Sequence, residues 1–145
     1  DTIWAMNSNK ISFEDLEIRI NNYIEKAKEA KDQISFSFAI DPILKGQKLT
    51  SVQGMNIYRT IQEAVNNSIK YANASVVSIS AKVVDNQLKI SIQDNGIGFD
   101  ETTIENGNGL QNMQKRIEEI GGVFHLSSSN EGTRIDILLK KNNKI

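Results

Sequence analysis

The chain has no cysteine, one proline, one histidine and one tryptophan among its 145 residues. Without cysteine there is no disulfide and no thiolate nucleophile, and a cytoplasmic location is expected. A single histidine with no cysteine leaves no ligand set for structural zinc. No apolar run reaches the ~20 residues of a membrane-spanning helix, and no signal peptide stands at the start. The net charge is −1, so the positive field that would gather nucleic acid or an anionic membrane is lacking, and neither is expected as a partner. What is present, 39% apolar and 24% charged residues, suffices for one globular domain with its own core. The sequence begins at Asp1 rather than methionine, and Ile3, Trp4 and Met6 stand there without an evident partner. A piece of a longer protein is expected, with any membrane anchor or sensor outside it.

Ser12 ahead of Phe13, Glu14 and Asp15 reads as an N-cap followed by acids in the first turn. Leu16, Ile20, Tyr23, Ile24 and Ala27 then recur at helical spacing to about Ala30. Ile34–Ile40 alternates as a half-buried strand and is stopped by Asp41-Pro42. Val52–Ala72 reads as a long helix with Ile57, Ile61, Val65 and Ile69 on one stripe. Val76–Val84 and Gln87–Gln93 form a hairpin across Asp85-Asn86. Leu110–Ile120 is a helix ended by Gly121-Gly122. Val123–Ser129 and Thr133–Lys140 make a last hairpin across Asn130–Gly132. Within the strands Val77, Ile79 and Ala81 alternate with Ser78, Ser80 and Lys82, so one sheet face is buried and the other wet. The expected fold is an α/β two-layer sandwich, with a mixed, mostly antiparallel sheet of about five strands and about three helices packed on one face.

Three short stretches carry the chemistry. In the first, Glu63, Asn67 and Lys70 fall within roughly 60° of one another on a helix, opposite the apolar stripe. Asn67 can lend an amide oxygen to Mg²⁺, Glu63 can orient a nucleophile or take its proton, and Lys70 can neutralise a phosphate oxygen. In the second, Asp94 ends a strand ahead of Gly96 and Gly98. A buried carboxylate there can accept from the exocyclic amine of adenine, and it would meet the carbonyl of guanine with like polarity. In the third, Gly107, Asn108 and Gly109 precede the helix that starts at Leu110, where backbone N–H groups cradle phosphate. The residues between Asp100 and Asn106 would cover the nucleotide. Read singly, the first stretch also describes a solvated helix face, and the second a turn with no ligand.

In this order the three stretches resemble the N, G1 and G2 boxes of the GHKL ATPases, which include histidine kinases, DNA gyrase, mismatch-repair proteins and certain chaperones. Glu63–Asn67 resembles the N box, Asp94–Gly98 the G1 box, and Gly107–Ile117 the G2 box and its helix as found in histidine kinases. Glu131-Gly132-Thr133 resembles the terminal Gly-Thr, whose threonine lies beside adenine in the family. Eight residues separate Gly98 from Gly107, which resembles the short-lid subclass of sensor kinases paired with helix-turn-helix response regulators. Residues 1–7 resemble the end of that subclass's dimerisation helices, so 1–10 are expected to be a remnant of that region and 11–145 the ATP-binding catalytic domain. Tyr71 departs from the histidine that often follows the N-box lysine.

The resemblance implies ATP and Mg²⁺ as ligands. It also implies a site of Glu63, Asn67, Lys70, Asp94, Gly96, Gly98, Gly107, Asn108, Gly109, Leu110 and Thr133, and a phosphoacceptor histidine on a preceding helical hairpin. The partners it implies are the dimerisation and phosphoacceptor domain and a downstream response regulator. The full-length protein would be a homodimer, with an anchor in the inner membrane open to it. His125 alternates with Phe124 and Leu126, so it should point to the wet face of the sheet and not serve as acceptor. Two other functions use the same fold: a serine kinase acting on an anti-sigma partner, and a degenerate nucleotide-binding signalling module. The segment around Trp4 speaks against the first, and the joint presence of Glu63, Asn67 and Asp94 against the second.

Overall fold

The computed structural model describes residues 10–30, 33–70, 73–97 and 108–140. Residues 1–9, Tyr71, Gly98, Gly107 and the expected cover between Asp100 and Asn106 lie outside the described residues, as does the side chain of Asn108. The elements run β1 (Lys10–Ser12), α1 (Phe13–Ala30), β2 (Ser35–Ile40), β3 (Lys48–Thr50), α2 (Ser51–Lys70), β4 (Val76–Val84), β5 (Gln87–Asp94), α3 (Asn108–Glu119), β6 (Val123–Ser129) and β7 (Gly132–Lys140).

Five strands form one sheet in the order β2-β4-β5-β7-β6. Only β2 and β4 run parallel, and every other pairing is antiparallel. The expected mixed sandwich is therefore borne out. Val77, Ile79 and Ala81 of β4 share the inner face with Leu88, Ile90 and Ile92 of β5 and Ile135, Ile137 and Leu139 of β7. Phe13, Leu16, Ile20 and Ile24 of α1, Ile57, Ile61 and Val65 of α2, and Leu110, Met113 and Ile117 of α3 close over that face. Each such side chain contributes roughly 1.5–3 kcal/mol by leaving water.

Local chemistry sets the element boundaries. The Asp15 amide donates to Ser12 Oγ at 3.1 Å, the N-cap bond read from the sequence. Asp85 and Asn86 adopt φ of 52° and 62°, the left-handed pair of a two-residue hairpin turn. Gly121 takes φ +79°, and the Gly122 amide reaches back to the Ile117 carbonyl at 2.9 Å to end α3.

Two features differ from the sequence reading. β1 and β3 pair as a small antiparallel ribbon beside the main sheet. Each has only three residues, too few for a period of two to emerge. Gly132 belongs to β7 and pairs with Ser129, which leaves a two-residue turn at Asn130 and Glu131. Gly132 takes φ +144°, and a β-carbon on it would strike the Asp94 carbonyl oxygen, so backbone conformation and close strand approach both demand glycine there.

Candidate functional site

The site gathers around the C-terminal half of α2. Asp94 ends β5, the central strand, in line with Leu88, Ile90 and Ile92 on the inner face. Thr133, its register partner, stands in the same relation to Ile135 and Ile137 on β7. Two polar side chains thus occupy the last core-facing rung of the sheet. Asp94 and Thr133 are each 5% exposed.

Asp94 is fully engaged by its neighbours. Its Oδ1 accepts from the Gly96 amide at 2.9 Å and the Thr133 amide at 3.2 Å. Its Oδ2 accepts from Ser68 Oγ at 2.5 Å. Three of about four lone-pair sites are filled, which leaves room for one further donor. Ser68 is the residue that sequence reasoning missed. The signal available was a serine inside a helix, where the residue type is unfavourable without a reason of its own. Asn95 fixes the same corner from outside: its Oδ1 accepts from the Ser75 and Val76 amides, both at 2.9 Å.

One residue before Ser68, Asn67 is 4% exposed, and its Nδ2 has no hydrogen-bond partner among the described residues. The two ends of a carboxamide exchange by half a turn about the last torsion, so nitrogen or oxygen can be presented there. A buried amide left unpaired costs about 1–3 kcal/mol. An incoming oxygen-seeking cation, or a hydrogen-bonding ligand, would recover that cost.

Glu63 lies one turn earlier, half-buried, where α3 begins. A β-carbon on Gly109 would stand 3.4 Å from the Glu63 carboxyl carbon and from Oε2, so glycine lets the first turn of α3 close onto that carboxylate. The first turn of α3, whose leading backbone N–H groups lack an intrahelical acceptor, lies beside it. Leu110 is 6% exposed and anchors that turn in the core. Lys70 is exposed at the end of α2, and Gly96 is buried at the Asp94 turn. The structure thus brings Glu63, Asn67, Asp94, Gly96, Gly109, Leu110 and Thr133 around one end of the sandwich. Among the described residues no three His, Cys, Asp or Glu side chains gather as a metal cage.

Outside the site, His125 is exposed on the open face opposite Asp136, as its strand alternation required. On that face partial burial works to raise Asp136. Hydrogen bonds from Ser91 at 2.6 Å and from Arg134, with the nearby Lys89 charge, outweigh it and hold the carboxyl below its ordinary value.

Residues 53–143 match the family described as histidine kinase-, DNA gyrase B- and HSP90-like ATPase. The chain belongs to that family. The resemblance to its histidine kinase branch is borne out by the relatives. The sensor protein VraS of Staphylococcus aureus strain COL is 38% identical over 84 residues, covering 57% of this chain and 24% of VraS. The histidine-protein kinase/phosphatase UhpB of Salmonella typhimurium is 34% identical over 91 residues, covering 63% of this chain and 18% of UhpB. The chain thus spans a quarter or less of the length of these curated relatives. The nucleotide-free catalytic domain of histidine kinase ThkA superposes with TM-score 0.71 at 19% identity, over 94% of this chain and 98% of that one. Acinetobacter baumannii histidine kinase AdeS gives 0.72 at 17% identity, over 95% and 70%. These two likenesses establish a shared ATPase-domain fold. No described helix of this ATPase domain is long and apolar enough to cross a membrane.

Proposed function

We propose that this ATPase domain is the catalytic part of a two-component sensor histidine kinase, passing the γ-phosphate of ATP to a histidine outside residues 1–145. The observation that carries the reading is the Ser68–Asp94 hydrogen bond. It joins the carboxylate that would read the base to the helix turn that carries the unpartnered Asn67 amide. Asp94 has one acceptor position left for an exocyclic amine, which favours adenine over guanine. Thr133 lies beside that position, and Gly96 keeps the backbone close. Asn67 would hold Mg²⁺ through its amide oxygen, and the bound ion supplies neutralisation of phosphate charge. Lys70 and the N-terminal turn of α3 at Asn108 and Gly109 would contact phosphate oxygens, joined by Gly98 and Gly107 of the connecting segment. Glu63 would orient the incoming imidazole and take its N–H proton as the nitrogen–phosphorus bond forms and the bond to ADP breaks.

In the whole protein we place residues 11–145 as the catalytic domain and 1–10 as the end of a dimerisation region. A homodimeric kinase, anchored in the membrane with this domain facing the cytoplasm and passing phosphate to a response regulator, follows from the same reading.

A thermal-shift titration with ATP, GTP and Mg²⁺ tests it. A ligand that binds only the folded chain raises the melting temperature with its concentration. ATP with Mg²⁺ should do so and GTP should not. Equal response to the two purines would overturn the assignment of Asp94.

A further inference from the structure

Beside Glu63, away from the Asp94 corner, a cleft of about 420 Å³ is floored by α2 and walled by Tyr23 of α1 and Arg116 of α3. Its formal charge is two arginines against one glutamate. Tyr23 Oη donates to Asn66 Oδ1 at 2.9 Å. Burial first, then the Tyr58 phenol and the Glu63 carboxylate, push Tyr23 up to about 12, so it keeps that proton. The bond fixes Asn66 with its oxygen spent and its NH₂ end turned away from Tyr23. Gln62 is engaged at its other end: Nε2 donates to the Tyr58 oxygen at 3.1 Å, which leaves Oε1 as an acceptor. Arg59 is exposed and Arg116 half-buried. Neither makes an ion pair among the described residues. Both also wall an adjoining cleft that holds Lys115 and Glu119. The charged groups of the cleft are therefore two guanidiniums against the single carboxylate of Glu63, with the Gln62 Oε1 a further acceptor.

We infer that this cleft docks the acceptor-bearing helix of the kinase through a carboxylate on that helix, held by Arg59 and Arg116 while Glu63 faces the acceptor imidazole. The inference rests on the proposed kinase reading and adds the recognition element for the acceptor. Arg59 precedes Glu63 by one turn of α2, roughly 6 Å along the axis. The partner carboxylate should therefore lie about one helical turn from its histidine. Guanidinium suits the task because its planar fork of donors matches a carboxylate. A neutral or basic acceptor surface would leave both arginines unpaired in the interface.

The test uses the 145-residue chain and the acceptor-bearing helical part of the full-length protein as a separate polypeptide. The double variant Arg59→Glu/Arg116→Glu should keep its melting temperature and its affinity for ATP·Mg²⁺. It should bind the acceptor polypeptide at least about tenfold more weakly, and the salt dependence of binding should flatten. Lysine in place of the partner carboxylate should recover binding to the double variant. Unchanged acceptor affinity would overturn the inference. So would a parallel loss of nucleotide affinity, because the guanidiniums would then serve the nucleotide. Charge-dependent docking in a wild-type chain that binds no ATP would support the cleft and sink the kinase reading, so the two fail separately.

Discussion

At the Asp94 end of the site three donors already converge on one carboxylate, from α2, from the turn after β5 and from β7. At the Asn67 end, one residue from Ser68, a buried amide nitrogen has no partner among the described residues. The first end is built before any ligand arrives, and the second holds an unspent polar group. The difference teaches where binding energy would go. On the proposed reading a purine would meet a preorganised acceptor and cost little reordering. The triphosphate and its cation would complete an arrangement that the protein leaves unfinished.

The largest expected effect breaks the finished end. Asp94→Asn replaces one acceptor oxygen by NH₂, which must face either the Ser68 hydroxyl or two backbone amides. Folding stability should fall by about 1–3 kcal/mol, and calorimetry should show adenine nucleotide affinity reduced at least about a hundredfold. Retained affinity would place the base elsewhere.

Asn67→Leu sharpens the comparison from the other side. It replaces an unsatisfied buried amide by an apolar side chain of similar volume. The ligand-free chain should become more stable by about 1 kcal/mol. That corresponds to a rise in melting temperature of roughly 2–4 °C. The benefit of Mg²⁺ to ATP binding should vanish. A destabilised variant would show that the amide is satisfied in solution.

The smallest effect is a control on the open face. Asp136 is also hydrogen-bonded, yet it lies on the opposite side of the sheet. Its folded value lies below the ordinary 3.8. Its contribution to stability is therefore present above that pH and is lost as pH falls through the lower folded value. Asp136→Asn should flatten the acid limb of the stability profile, measured by denaturation between neutral and acid pH, and leave nucleotide affinity unchanged. Altered affinity would mean that the open face communicates with the site.

The long periodic elements were legible because burial repeats along them. The stripe of Ile57, Ile61 and Val65 and the alternation of Val77, Ile79 and Ala81 each recur often enough to fix a face. The fold class followed from those faces. Asp94 and Thr133 were legible as residues of interest, but their adjacency was not. It depends on the β5–β7 register, which no local pattern encodes. Ser68 escaped notice for the same reason, since its partner lies 26 residues away. The β1–β3 ribbon was too short to announce itself. Tyr23, which reaches 43 residues along the chain to Asn66, read only as one member of an apolar stripe because its ring is apolar and its hydroxyl is not.

The most direct measurement is calorimetric binding of adenosine and of ATP·Mg²⁺ to the wild-type chain, Asn67→Leu and Asp94→Asn. If α2 carries two separable ends of one site, Asn67→Leu keeps adenosine binding and loses only the increment from triphosphate and metal, while Asp94→Asn loses both. An Asn67→Leu chain that binds ATP·Mg²⁺ as the wild type does, or an Asp94→Asn chain that still holds adenosine, would contradict it.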